Sequence, residues 1–123
     1  MNNKWVAIFG KLLIAVIFLI SGYGKITNWS ATAALIGSKG VPLPQIALII
    51  VVLVEIGGGL VLLVGPFEKW AALVLFLYLI PITLVIHPVW GIPQEQLQSA
   101  AVQFLKNVAI MGGLLQIVAR PQP

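Results

Sequence analysis

The chain predicts an all-α membrane protein: a polytopic four-helix bundle with a short interfacial helix between its first and second spans. Composition is the first reason. Of 123 residues, 60% are hydrophobic and only 8% are charged, with a mean hydropathy of +1.08, whereas a soluble domain carries about 25% charged residues. A chain this short cannot hide so much apolar surface in a water-facing fold. The second reason is four apolar runs of spanning length, at about residues 5–23, 45–64, 70–86 and 99–119. The third is tryptophan placement. Trp5 and Trp70 open the first and third runs, and Trp29 and Trp90 follow their ends, as an aromatic belt at both membrane–water boundaries requires. The length suits one membrane domain over 1–123.

The first run, Trp5 to Tyr23, is about 28 Å long as a helix. Lys4 in front of it invites a signal-peptide reading. The A-x-A pattern at Ala31-Thr32-Ala33 lies too far past the apolar stretch for cleavage, so a span is expected. After Lys25, Asn28 is a candidate N-cap for a short helix from Trp29 to Ser38, stopped by Gly40 and the Val41-Pro42-Leu43-Pro44 segment. That helix is too short to span and moderately apolar, which suits the interface. The second span, Gln45 to Val64, holds Glu55 and the triplet Gly57-Gly58-Gly59, and such glycines let a neighbouring backbone approach. Gly65 to Lys69 reads as a tight turn. The third span, Trp70 to Ile86, contains Pro81, which cannot donate a backbone bond to Leu77 and predicts a kink, with Thr83 available to the freed groups. The loop His87 to Pro93 follows. The fourth span, Ser99 to Ala119, carries Lys106, Asn107 and Gly112-Gly113.

Four spans put both termini on one side. That side carries Lys4, Lys69 and Arg120, with Lys11 just inside, while the opposite loops carry Lys25 and Lys39, offset by Glu95. The bias favours cytoplasmic termini. The net charge of +4 is scattered and forms no basic stripe, so nucleic acid is not an expected partner. The absence of cysteine rules out disulfides, thiol redox chemistry and iron–sulfur ligation by this chain. With one histidine and no aspartate, a bis-histidine haem, a histidine-rich metal site and a Ser-His-Asp triad are excluded as well. No covalently bound cofactor and no catalysis by the chain alone are expected.

Glu55 is the residue of greatest interest. An acid in the middle of a span costs about 2.5 kcal/mol on insertion scales, so it usually has a partner or a task. Counted from the face bearing the termini, Lys11 lies about 6 residues deep, Glu55 about 9 and Lys106 about 13, which offsets Glu55 by about 4 Å from one lysine and 6 Å from the other. Lys11 can snorkel to its own interface, so the expected buried pair is Glu55–Lys106, with Asn107 joining it or pointing to another helix. Two readings stay open: an anchor of helix register, or a polar site for a ligand or proton. His87, at a span end, is either an interfacial histidine or a member of that site near Lys25 and Tyr23. Ser21-Gly22-Tyr23-Gly24-Lys25 is either close packing or site lining.

Several of these stretches together resemble the DoxX family. Lys11-Leu12-Leu13 with Phe18 through Lys25 is similar to its opening. Glu55-Ile56-Gly57-Gly58-Gly59-Leu60 is similar to its second-span motif, His87-Pro88-Val89-Trp90 to the segment after span three, and Phe104 through Gly113 to its fourth-span signature. Lys11 departs from the arginine the family pattern leads one to expect, replacing a planar fork by a point charge. The resemblance implies a four-helix protein of the bacterial inner membrane. Relatives are associated with thiosulfate:quinone oxidoreductase and oxidative-stress complexes, and more distant ones with receptor assembly and cargo export. The family's charged motif positions map to Glu55, Lys106, Asn107, His87 and Lys25. Three functions follow as expectations: an accessory or quinone-linked subunit beside other redox subunits, with a quinone held by Lys106, His87 or Tyr23; an assembly module without a redox role; or, in a homo-oligomer, a small-solute carrier using Lys106 and Lys11.

Overall fold

The computed structural model describes residues 4–64, 66–86 and 89–119. Five α-helices account for nearly all of them: α1 (Lys4–Thr27), α2 (Trp29–Ser38), α3 (Pro44–Val64), α4 (Glu68–Pro81) and α5 (Gln94–Ala119). There is no strand among the described residues. A π-helical turn, Ile82–Ile86, extends α4, so that α1, α3, extended α4 and α5 are each long and apolar enough to cross a membrane. α3 packs between α1 and α4, α4 packs on α5, and α1 meets α5 more sparingly. The exterior is apolar: Ile20, Leu53, Val64 and Leu105 are all more than half exposed. In water such a surface would drive aggregation. Against hydrocarbon it costs nothing.

Helix ends follow local chemistry. α1 outruns the apolar stretch because three groups close it on one carbonyl: the Asn28 backbone N–H, the Thr27 hydroxyl and the Asn28 side-chain amide all donate to Gly24 O. Asn28 then kinks the chain into α2. Gly40, at φ +84°, takes the left-handed turn that ends α2, a conformation that favours glycine. Pro44 opens α3, where its missing N–H is no loss. Pro81 marks the change of winding in the third span. Such π-turns arise where the regular ladder is interrupted.

The core is built on small residues. Ala15, Ala71 and Ala72 are buried beside Phe18, Leu62, Leu75 and Leu114, and Gly59 and Gly22 are buried in the α1–α3 seam. Without a hydrophobic drive between helices in lipid, close backbone approach supplies the packing. Neighbouring glycines of α3 differ here. A Cβ on Gly58 would lie 2.8 Å from Leu75 Cδ2 and 2.9 Å from its Cγ, whereas one on Gly57 would meet nothing within 4 Å. Leu75 is fully buried and can yield only by repacking its neighbours. Gly58→Ala is therefore expected to destabilise the bundle by about 1–3 kcal/mol through overpacking. Gly57→Ala should gain up to about 1 kcal/mol from helix propensity. Thermal unfolding of the two variants in micelles checks the contrast.

Candidate functional site: a carboxylate shared by three helices

Glu55 is 4% exposed and faces the seam where α1, α3 and α4 meet. Lys25 of α1 places Nζ 3.1 Å from its Oε1 and donates a hydrogen bond to its Oε2 at 3.3 Å. Tyr78 of α4 donates from its hydroxyl to the same Oε2 at 2.8 Å. Lys25 also donates to Ser21 Oγ, one turn back on α1, at 2.6 Å. Oε1 is buried and accepts no hydrogen bond; its contact with Lys25 is electrostatic only. One carboxylate thus ties three helices together and keeps unused acceptor capacity in the interior.

The pairing corrects the expected Glu55–Lys106 bridge. Lys106 is exposed and forms no ion pair among the described residues. Its neighbour Asn107 turns instead to α4 and donates to Thr83 Oγ1 at 3.1 Å. Thr83 is five residues beyond Tyr78, which sets that level about 7 Å from Glu55 along the bundle. Depth counting had ignored which face of α5 carries the lysine. Lys25, assigned to a loop by the apolar pattern, lies inside α1. It follows Lys11, Ala15, Phe18 and Gly22 at spacings of four and three, so it shares their inward stripe. Gly22 clears the way: a Cβ there would come within 2.6 Å of Ile56 Cδ1 and 3.5 Å of Glu55 Cβ.

Of the other candidates, Tyr23 is exposed at 65% and makes no contact with Glu55. His87 lies outside the described residues. Lys11 belongs to a second buried pair, with Nζ 2.6 Å from Oε2 of Glu68 and both side chains 10% exposed. That pair joins α1 to the first turn of α4. Sequence reasoning missed Tyr78 altogether. The depth count applied to lysines would have found it, since Tyr78 lies about as far from the start of its span as Glu55 lies from the end of its own. An apolar groove of about 310 Å³ runs along α3 and α4 between Leu53, Gly57, Val61, Trp70 and Val74. It includes none of Lys25, Glu55 and Tyr78.

The chain that carries this acid, lysine and phenol is similar to known proteins. The family profile for DoxX matches residues 6–88. Inner membrane protein YphA of Escherichia coli strain K12 is similar, at 26% identity over 88% of this chain and 77% of the relative. So is inner membrane protein YqjF of the same strain, at 31% identity over 85% of this chain and 75% of the relative. No solved structure matches the chain significantly. With two thirds of its length under the family profile and four helices long and apolar enough to cross a membrane, the chain belongs to the DoxX family of membrane proteins.

Proposed function

We propose that this protein is an accessory subunit of a quinone-linked redox or oxidative-stress complex, in which Lys25, Glu55 and Tyr78 form the polar docking point for a quinone or quinol head. The observation that carries the reading is the buried Glu55 carboxylate, whose Oε1 lies 3.1 Å from the Lys25 ammonium but accepts no aligned hydrogen bond. A buried acceptor normally has a donor, and a quinol hydroxyl supplies one. The ammonium of Lys25, with three N–H donors, is suited to a quinone carbonyl, while Tyr78 spends its one O–H on Glu55 and holds the acid in place. A quinone, when bound, supplies two-electron redox chemistry that this chain's own side chains lack. The chain's part is to hold and orient the head in a dry seam. The reading places the chain as one domain in a bacterial inner membrane, as the names of its relatives suggest, with cytoplasmic termini as Lys4 and Lys69 favour.

A second reading rests on the same carboxylate. Because it joins α1, α3 and α4, it also suits a pure register anchor in an assembly module with no redox role. Titration separates the two. A short-chain benzoquinone or naphthoquinone is added to the purified protein in micelles and thermal unfolding is followed. At a hundredfold excess over Kd, binding should stabilise the wild type by about 2.7 kcal/mol. Tyr78→Phe and Glu55→Gln should lose that gain. A wild type unmoved by saturating quinone sinks the redox reading and leaves the anchor.

A further inference from the structure

We propose that the exposed half of the α1–α5 seam, marked by Ser99, Gln103 and Lys106, binds the phosphate head of an anionic phospholipid. The proposal does not depend on the quinone reading.

α5 carries a single stripe at spacings of four and three: Ser99, Gln103, Lys106, Ile110, Gly113 and Ile117. Its C-terminal half is covered. Ile117 is buried, Ile110 packs on the core, and Gly113 lies so close to α1 that a Cβ would sit 3.0 Å from Ile14 Cδ1. Its N-terminal half is polar, and Ser99, Gln103 and Lys106 are all exposed. α1 therefore leaves the stripe uncovered there. α1, which meets this stripe at Ile14, offers no carboxylate, and its Lys25 is held by Glu55.

Charge accounting leaves Lys106 without a carboxylate of its own. The chain has 3 acidic residues. Glu55 is taken by Lys25 and Glu68 by Lys11. Glu95 sits in the first turn of α5, about 16 Å along the helix from Lys106. Lys106, like Lys39 and Lys69, has no counter-ion among the described residues, and unlike them it stands in the interior of a spanning helix.

Depth and surroundings suit Lys106 to an anionic lipid head. Asn107 meets Thr83, which sets Lys106 level with Leu84 and about 3 Å short of Ile86, the end of extended α4. Trp90 packs edge-on against Phe104 with centroids 6.4 Å apart, an aromatic of the boundary zone. Helical side chains lean toward the helix N-terminus, so Lys106 leans outward toward the headgroups. Gln103 and Ser99 add an amide and a hydroxyl donor at successive turns. Val102 and Leu105 flank them, exposed and apolar, as acyl chains require.

The test uses the full chain in neutral detergent, titrated with phosphatidylglycerol or phosphatidylcholine and read by native mass spectrometry. Phosphatidylglycerol should bind more tightly than phosphatidylcholine. Lys106→Gln should weaken it about fivefold, the equivalent of one basic residue at a membrane surface. Lys106→Arg should retain it, and Lys39→Gln, in an exposed lysine on the same side of the bundle, should leave it unchanged. Unfolding temperatures of the variants confirm that each is folded. Equal phosphatidylglycerol binding by the wild type and Lys106→Gln overturns the proposal. So does displacement of the lipid by inorganic phosphate at equal concentration, which would make this a site for free oxyanions. Glu55→Gln should bind the lipid normally, so failure of the quinone reading and failure of this one are distinguishable.

Discussion

Lys25→Met is expected to destabilise the bundle by about 3 kcal/mol or more, the scale for removing one partner of a buried ion pair. The lysine side chain is 27% exposed but Glu55 only 5%, so the carboxylate cannot turn to solvent once its cation is gone. Only the Tyr78 hydrogen bond would remain to it. Most of the loss is the uncompensated acid rather than the worth of the bridge. The double variant Lys25→Met with Glu55→Leu should therefore recover much of the stability, since an apolar replacement of a buried pair is often neutral or better. Tyr78→Phe alone should cost about 1 kcal/mol, the net worth of an ordinary hydrogen bond. A thermodynamic cycle in micelles over these variants measures all three. If Lys25→Met and the double variant unfold alike, the lone carboxylate carries no penalty and is satisfied elsewhere.

The reason such a pair escapes a reading of the sequence is visible in two residues. Hydropathy closes the first span at Tyr23, because Gly24, Lys25 and Thr27 lower the running average. The helix nevertheless continues, since its end is decided by where carbonyls find donors, and Gly24 O finds three. Lys25 is thereby a helical residue with a definite facing. Lys106 shows the converse. Its depth was readable, its facing was not, because which neighbour α5 turns each face toward depends on packing between helices far apart in sequence. The helix types, the membrane class and the presence of an acid within the second span depend on composition and short-range periodicity, and these were legible. The extension of α5 back to Gln94 was not. By the Thr83–Asn107 register its first residues rise about 15 Å past the end of α4, and Gln94 to Ser99 are exposed, so hydropathy correctly reports water there while the helix persists.

Lys11 offers the second large effect. Nζ of Lys11 and Oε2 of Glu68 approach to 2.6 Å with both side chains 10% exposed, a tighter and drier pair than Lys25–Glu55. Glu68 stands in the first turn of α4, where unpaired backbone N–H groups favour negative charge by about 0.3–1 kcal/mol. Lys11→Met leaves that favourable field in place yet removes the cation, so a loss of about 3 kcal/mol is expected, at the low end of the range for broken buried pairs. Lys11→Arg should behave in the opposite sense. A guanidinium presents a planar fork to a carboxylate, which a point ammonium cannot. The arginine variant is expected to unfold at or above the wild-type temperature. A fall instead, comparable to that of Lys11→Met, would mean that the cleft between α1 and the start of α4 is shaped around the slimmer lysine, and that packing rather than charge geometry decides what this position accepts.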